Sequence, residues 1–193
     1  MPKLGMEPIR RAALVKATIA EVGLAGTLDV TVAQIARRAG MSSALAHHYF
    51  GSKEQMFLAA MRHILTLYGA EVRGALVAAE GPLGRLNGVI RASFSGASFR
   101  REVVSAWLNF YVLAQTVPEA RRLLRVYQRR LQSNLVHGLR PLAGERAVGL
   151  ARGIGAMIDG VYIREALSDG PPDGRAAAAL VATYLDAKLG EAR

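Results

Sequence analysis

The fold of this chain is decided by the stretch Thr31-Val-Ala-Gln-Ile-Ala-Arg-Arg-Ala-Gly-Met-Ser-Ser-Ala-Leu-Ala-His-His-Tyr-Phe50. Thr31 and Gln34 have the spacing of a capping box, in which two side chains satisfy backbone N–H groups that a helix start leaves unpaired. Gly40 can adopt the left-handed conformation that ends many helices, and Ser42 is a suitable cap for a second helix. The pattern predicts two short helices joined by a tight turn.

A third helix is predicted to follow directly. Ser52 and Gln55 repeat the capping-box spacing, and apolar residues at helical spacing continue to about residue 79.

Two short helices that cross at a tight turn form the geometry that places one helix in the major groove of DNA. A generic helical hairpin over residues 31–50 is the alternative. The contacts between the two helices are assigned to Ile35, Ala36, Ala39, Met41, Ala46 and Phe50.

The second helix, over about residues 43–49, is the one predicted to read DNA. Serine and histidine can form hydrogen bonds with base edges or phosphates, and alanine and leucine can contact a thymine methyl group. A hydroxyl and an ammonium group near the helix end are suited to backbone phosphates. The candidate DNA-binding residues are Thr31, Ser42, Ser43, Ala44, Leu45, His47, His48, Tyr49 and Lys53. Further phosphate contacts could come from Lys3, Arg10 and Arg11.

Charge and composition narrow the function classes. The net charge of +10 suits a polyanionic partner, although charge alone does not locate the binding surface. No apolar run reaches the roughly 20 residues that span a bilayer, and the N-terminus lacks the apolar core of a signal peptide. We therefore expect a cytoplasmic protein with no membrane contact. The arginines of residues 121–130 form either a solvated helix face or a second nucleic-acid site.

Catalytic and metal-binding functions have little support in the sequence. The chain contains no cysteine, which removes disulfides, thiolate zinc sites and thiol catalysis. His47 and His48 are adjacent, so their side chains diverge by about 100° on a helix, whereas helical metal ligands are usually spaced i,i+4. The sequence also has no phosphate loop and no credible Ser/His/Asp constellation. We predict that the protein is not an enzyme and has no catalytic residues, metal site or cofactor.

Helical patterns also fill the rest of the chain. A first helix is expected to end at Gly26, and Asp173 is a candidate cap for the last helix. Between the long third helix and the C-terminus, helices are predicted over about residues 83–97, 101–115, 118–140, 144–168 and 174–189. The predicted fold is all-α with about nine helices. It comprises an N-terminal helix-turn-helix DNA-binding domain (1–53) and a C-terminal helical ligand-binding and dimerisation domain (54–193).

A homodimer is expected because helix-turn-helix proteins usually pair two modules one turn of DNA apart. The segment 149–160 contains several glycines within a helical pattern, where each costs about 1 kcal/mol relative to alanine. Close approach of a partner helix would compensate, and so would packing within the chain. We assign the dimer contact to about 144–168 and 174–189.

Residues 8–68 resemble the DNA-binding domain of TetR-type repressors. That domain has a threonine-capped helix, an Ala-Gly-hydrophobic-Ser turn, and aromatic residues at the end of the second helix. The matching residues are Thr31, Ile35, Ala36, Ala39, Gly40, Met41, Ser42, Tyr49, Phe50 and Lys53. Within that family, His48-Tyr-Phe and segments 129–135 and 158–168 resemble the BetI group, the choline-responsive repressors of glycine betaine synthesis genes. Ala44 and Ala46 depart from the common pattern, which leaves the operator sequence open.

The resemblance implies a homodimer that binds double-stranded operator DNA, with the last two helices as its interface. It also implies that choline binds the larger domain and releases the operator. A quaternary ammonium group cannot donate a hydrogen bond, so its site needs aromatic faces, to which a carboxylate can be added. The candidate ligand-binding residues are Trp107, Phe110, Tyr111, Asp159 and Tyr162.

Other interpretations of these residues and of the function remain open at this stage. The three aromatic residues of 107–111 share one side of a helix, which is also typical of ordinary core. Asp159 stands in an apolar run and needs a partner, which Arg152 or Arg164 could provide. Two other functions fit the sequence: a TetR-type regulator of a different small molecule, and an architectural DNA-binding protein with no effector.

Overall fold

The computed structural model describes residues 5–96 and 99–190, and over these residues the chain is helical with no strand. These described residues form nine α-helices and a 3-10 helix at Gly144–Arg146. Their bounds are α1 Met6–Ala25, α2 Val32–Arg38, α3 Ser43–Phe50, α4 Lys53–Val77, α5 Gly81–Ser93, α6 Arg101–Thr116, α7 Pro118–Ala143, α8 Ala147–Ala166 and α9 Gly174–Gly190. The all-α prediction is confirmed.

The start of α2 and the turn after it follow the predicted local chemistry. The Gln34 backbone N–H donates to the Thr31 hydroxyl at 3.2 Å, and the Thr31 N–H donates to the Gln34 side-chain oxygen at 2.7 Å. Gly26 and Gly40 both have φ of 67°, a conformation that glycine adopts without a steric penalty. The predicted capping box and both predicted helix ends are therefore confirmed.

The start of α4 differs from the prediction in one respect. The Ser52 hydroxyl accepts from the Gln55 backbone N–H at 3.2 Å, as expected for a cap. The Gln55 carboxamide, however, donates to the Glu119 carboxylate on α7 at 3.3 Å. A contact between distant helices thus takes the side chain that a local capping box would have used.

Two helix boundaries also shift from their predicted positions. The helix expected to reach residue 97 ends at Ser93, and the buried rings of Phe94 and Phe99 then pack edge to face, with centroids 5.1 Å apart. The helix expected from residue 144 begins at Ala147, because Gly144 has φ of 53° and leads into the short 3-10 helix. Asp173 caps α9 as predicted, accepting from the Arg175 N–H at 2.9 Å and the Ala176 N–H at 3.0 Å.

Two helices connect the N-terminal module with the larger helical body. The 25 residues of α4 run without interruption from just after α3 into the body. Helix α1 packs on both α4 and α6. At Gly23 the α1 backbone lies so close to Glu102 on α6 that an added Cβ would overlap it. The Asn109 amide of α6 also donates to the Gly26 carbonyl at 3.2 Å.

Candidate DNA-reading helix and effector site

Helix α3 turns one face inward and presents the other to solvent. Ala46 is fully buried, at 0 % exposure, against the apolar core of the module. On the outer side Ser42, Ala44, His47 and His48 are exposed. Ser43, Leu45 and Tyr49 are half-buried. The helix is therefore anchored by a small residue and leaves polar and apolar groups free to meet a DNA groove.

Basic residues gather around the C-terminal end of α3. Arg10 of α1 donates to the Tyr49 hydroxyl at 3.4 Å, and the Arg11 guanidinium lies 4.8 Å from the centre of the Phe50 ring. The Lys53 ammonium donates to the Leu28 carbonyl at 3.4 Å. These contacts gather cationic groups at the edge of the module, where they are suited to phosphates. Lys3 lies outside the described residues.

The adjacent histidines occupy the exposed face of α3. His47 Nδ1 lies 3.2 Å from the Gly51 carbonyl oxygen, and the His48 ring lies 5.5 Å from the Tyr49 ring. Within residues 5–96 and 99–190, no group of three or more histidine, aspartate and glutamate side chains could hold a metal ion. The same part of the chain contains no helix long and apolar enough to cross a membrane.

The larger body contains a cluster of aromatic rings around Trp107. Its ring centroid lies 4.8 Å from that of Tyr127, 5.8 Å from that of Tyr111 and 6.2 Å from that of Tyr162. Asp159 accepts a hydrogen bond from the Tyr127 hydroxyl at 3.1 Å and another from Tyr111. The fold thus brings together four of the five predicted ligand-binding residues, and we call Trp107, Tyr111, Tyr127, Asp159 and Tyr162 the aromatic cage.

Phe110, the fifth predicted residue, lies outside the cage. Its ring is 1 % exposed and touches Trp107 from the side, at 5.7 Å between centroids. It faces α1 and α4, where it lines a small apolar cavity together with Val22 and Phe57. Residues 107 and 110 are one helical turn apart, but Phe110 contributes to core packing next to the N-terminal module.

Two tyrosines that belong to this region were missing from the sequence prediction. Tyr127 bonds to Asp159, and Tyr68 packs edge to face on Tyr127 at 5.7 Å. Periodicity could have found Tyr127, because it shares a stripe of buried positions with Ala120, Leu131 and Leu135. The neighbouring arginines at 121, 122, 125, 129 and 130 are all exposed, so the solvated helix face and the second nucleic-acid site both remain predictions.

The Asp159 carboxylate is compensated by hydroxyl groups. Burial raises its pKa, and the hydrogen bonds from Tyr111 and Tyr127 partly oppose that rise. Arg152 and Arg164 are exposed, and in the described part of the chain neither forms an ion pair with Asp159. The pairing with either arginine is therefore replaced by two phenols. An ionised carboxylate at this position leaves a negative charge uncancelled among aromatic rings.

The tyrosines of this region remain neutral hydrogen-bond donors at physiological pH. Burial raises the pKa of Tyr68 to about 12 and raises the pKa values of Tyr111, Tyr127 and Tyr162 as well. Tyr162 donates to the Ser93 carbonyl, and Tyr68 shares a hydrogen bond with the Ser93 hydroxyl at 3.3 Å. Ser93 thus fixes two rings from two different helices.

A surface cleft leads towards these rings. It lies between α4 and α7, has a volume of about 310 Å³, and is lined by both Tyr68 and Tyr127. Trp107 and Tyr162, on the far side of Tyr127, are only 5 % and 7 % exposed. The rings of the cage are therefore in mutual contact, and the cleft is the space from which a small molecule could reach them.

Comparisons with known proteins place both parts of the chain. Residues 14–60 match the profile of bacterial regulatory proteins of the tetR family. Residues 82–190 match the profile of the C-terminal region of BetI-type transcriptional repressors. The chain belongs to the TetR family of transcriptional repressors. Its C-terminal part is of the BetI type, and α2 and α3 form the helix-turn-helix of a DNA-binding protein.

Individual relatives of this TetR-type repressor agree with that assignment. The HTH-type transcriptional regulator BetI of Brucella anthropi is 51% identical over 190 residues, which cover 98% of both chains. A transcriptional regulator of Pseudomonas aeruginosa PAO1 has 26% identity and a TM-score of 0.75, covering 97% of this chain and 93% of its own. A regulator of Saccharomonospora viridis, solved in complex with choline, has 19% identity and a TM-score of 0.81, covering 91% and 95%. The family and these relatives are regulators and not enzymes.

Proposed function

We propose that this TetR-type repressor binds choline in the aromatic cage, that choline releases the operator, and that the operator controls genes for glycine betaine synthesis. The observation that carries the choline assignment is the Asp159 carboxylate, which is enclosed by aromatic rings and held by two phenols with no cation beside it. A permanent cation would balance the charge of this carboxylate without needing to donate a hydrogen bond.

The cage suits a quaternary ammonium group for physical reasons. The faces of tryptophan and tyrosine rings attract a cation, and the attraction grows when water is excluded. The carboxylate supplies the opposite charge, and neutral tyrosine hydroxyls can bond to the alcohol of choline. The BetI names of the relatives and the choline bound to the Saccharomonospora viridis regulator support this choice.

Entry of a ligand would separate rings that are now in contact. Tyr68 belongs to α4, Trp107 to α6, Tyr127 to α7 and Tyr162 to α8. A cation held between them therefore displaces helices, and α4 continues without a break to Lys53 beside α3. The α1–α6 contact at Gly23 gives a second connection from the cage helix to the module. Displacement of either helix changes the position of α3 and weakens DNA binding.

On the DNA side, we assign base contacts to the exposed face of α3, with Ser43, Ala44, Leu45, His47 and His48 as the reading residues. Ser42 and Thr31 cap the two helices and point their N-termini towards phosphates. Tyr49 and Lys53 bind the phosphate backbone of the DNA. On binding, the Lys53 ammonium leaves the Leu28 carbonyl, to which it now donates at 3.4 Å, and contacts a phosphate. The module is taken as residues 1–53 and the ligand-binding part as 54–193.

We assign the homodimer contact to the outer faces of α8 and α9. Gly149 and Gly160 on α8 have no atom of the described chain within 4 Å of an added Cβ, so packing within the chain does not explain them. Gly153, in contrast, faces the Tyr184 hydroxyl of α9 at 3.4 Å. Large apolar side chains are exposed on the same helices, with Ile163 at 41%, Leu167 at 72% just beyond α8, and Leu180 at 53%. A second copy would cover them.

Operator release tests the function as a whole. Fluorescence anisotropy of labelled DNA from the promoter of the chain's own gene region should show saturable binding that millimolar choline reverses. Asp159→Asn should bind the same DNA but ignore choline, because the amide has the same shape, can still accept from a tyrosine hydroxyl, and lacks the charge. Reversal of binding by choline in Asp159→Asn would remove the cage from the mechanism. If a different small cation released the operator and choline did not, the cage would remain the proposed binding site, but choline would not be the effector.

A further inference from the structure

We infer that the cleft between α4 and α7 accepts a phosphocholine group, with its ammonium end in the aromatic cage and its phosphate between Arg73 and Arg130. This inference rests on the proposed choline site and extends the class of its ligands. The cleft is lined by Tyr127, a ring of the cage, by Tyr68, which packs on it, and by both arginines. One opening therefore combines a place for a cation with a place for an anion.

The position of Arg73 is built into α4. Gly69 stands one turn before it, in the middle of a long helix where glycine costs about 1 kcal/mol relative to alanine. A Cβ added at Gly69 would lie 3.4 Å from Arg73 Nη1, so the guanidinium lies directly over the glycine. Gly69 itself lines the cleft. The missing side chain makes room for a cationic group at this point of the wall.

The charges on the cleft wall do not suit choline alone. Among the residues the structure describes, neither Arg73 nor Arg130 forms an ion pair, and no carboxylate lines the cleft. Two unpaired guanidinium groups repel a ligand that is only cationic, whereas a phosphate carries a charge of about −1.5 to −2 near pH 7 and binds arginine strongly. Ser133 and Asn134 add hydrogen-bonding groups to the same wall.

The size of the cleft also favours a longer ligand. Its volume of about 310 Å³ is at the lower end of the roughly 300–1,000 Å³ that small-molecule sites occupy. A choline cation placed in the cage would leave the outer part to solvent, whereas the phosphate ester extends towards the arginines. Glycine betaine carries its carboxylate only one carbon from the ammonium, closer than the phosphate of phosphocholine is to its ammonium.

The test compares three ligands by isothermal titration calorimetry on the full chain: choline, phosphocholine and glycine betaine. The wild type should bind phosphocholine, and Arg73→Gln/Arg130→Gln should weaken that binding about tenfold while leaving choline affinity unchanged or slightly higher. Arg122→Gln/Arg125→Gln, on the exposed part of α7 outside the cleft, is the matched control and should change neither. Co-sedimentation with phosphatidylcholine vesicles distinguishes a lipid headgroup from the free ester as the source.

The outcomes separate this inference from the proposed function. Choline binding without phosphocholine binding overturns the arginine subsite and leaves the choline site standing. Equal losses for both ligands in the double variant, or the same loss in the control, also overturn it. Phosphocholine binding with no response to choline supports the subsite and removes the choline assignment. If neither ligand binds, the proposed effector site fails and the inference fails with it.

Discussion

The helix-turn-helix and the aromatic cage are built in different ways. In the helix-turn-helix, caps join residues three apart, as Thr31 with Gln34 and Ser42 with Leu45. In the cage, Tyr127 reaches across 32 residues to Asp159, and Tyr162 reaches across 69 residues to Ser93. The first region is therefore specified by neighbours in sequence, and the second depends on how four helices pack.

The largest effect is expected where α1 of the N-terminal module packs on α6, the helix that carries Trp107 of the cage. Gly23→Ala places a Cβ against the Glu102 backbone and forces α1 away from α6, which should lower the free energy of unfolding by about 1–3 kcal/mol. Gly74→Ala is the control, because it is an exposed helical glycine with nothing within 4 Å and should be neutral or stabilising by up to about 1 kcal/mol. Urea unfolding measures both variants. Equal stability of Gly23→Ala and the wild type would show that the close contact is unimportant.

The charge of the cage should appear in the pH dependence of choline binding. Choline does not titrate, and the pKa of Asp159 is raised, so affinity should fall as the pH drops through that pKa, by up to tenfold per pH unit below it. Asp159→Asn should bind weakly with a flat pH profile, measured by calorimetry. Because the folded pKa lies above the unfolded one, Asp159 lowers stability as pH rises between them, and Asp159→Asn should remove that slope. A wild-type affinity that stays constant while the pH is lowered through the raised pKa would show that the Asp159 charge does not contribute to choline binding.

A smaller effect is expected for a local cap. Thr31→Ala removes the hydroxyl that accepts from the Gln34 backbone N–H and should cost about 1 kcal/mol. Thr66→Ala, which removes a hydroxyl bonded to the Arg62 carbonyl inside α4, should be neutral or stabilising. Thermal unfolding of the two variants compares them directly. A cost for Thr66→Ala equal to that for Thr31→Ala would mean that the module does not depend on its caps.

The smallest effect concerns a single phosphate contact. Lys53→Ala should weaken binding about equally for all DNA sequences and reduce the slope of log K against log salt by about one unit. The same measurement on Arg140→Gln, an exposed residue in the last turn of α7, should leave the slope unchanged. An unaltered slope for Lys53→Ala would mean that the Lys53 ammonium does not bind a phosphate and stays bonded to the Leu28 carbonyl.

The sequence predicts the module more completely than the cage because their signals differ in range. Thr31, Gly40, Ser42 and Asp173 act on backbone groups two or three residues away, so their roles follow from spacing alone. Gln55 is the exception in the module, because Glu119 of a distant helix takes its carboxamide. Where a residue acts only through neighbouring sequence, the pattern is sufficient.

Sequence spacing does not predict which side chains of the cage meet in the folded protein. Trp107, Phe110 and Tyr111 share one side of α6, yet the packing of α1 draws Phe110 into the core and leaves the other two for Asp159. Tyr127 was obscured by the arginines around it, although its buried stripe was visible in the sequence. Which hydroxyls meet the carboxylate is decided by the crossing of α6, α7 and α8, and no local rule gives that crossing.

Trp107 allows the most direct test of the central claim, because it is the single tryptophan of the chain and its ring forms the centre of the cage. The measurement is its fluorescence during titration with choline, in the wild type and in Asp159→Asn. We predict a saturable change in the wild type and none in Asp159→Asn at the same concentrations. A flat wild-type titration up to millimolar choline, or an equal response in Asp159→Asn, would contradict the assignment of the cage as the choline site.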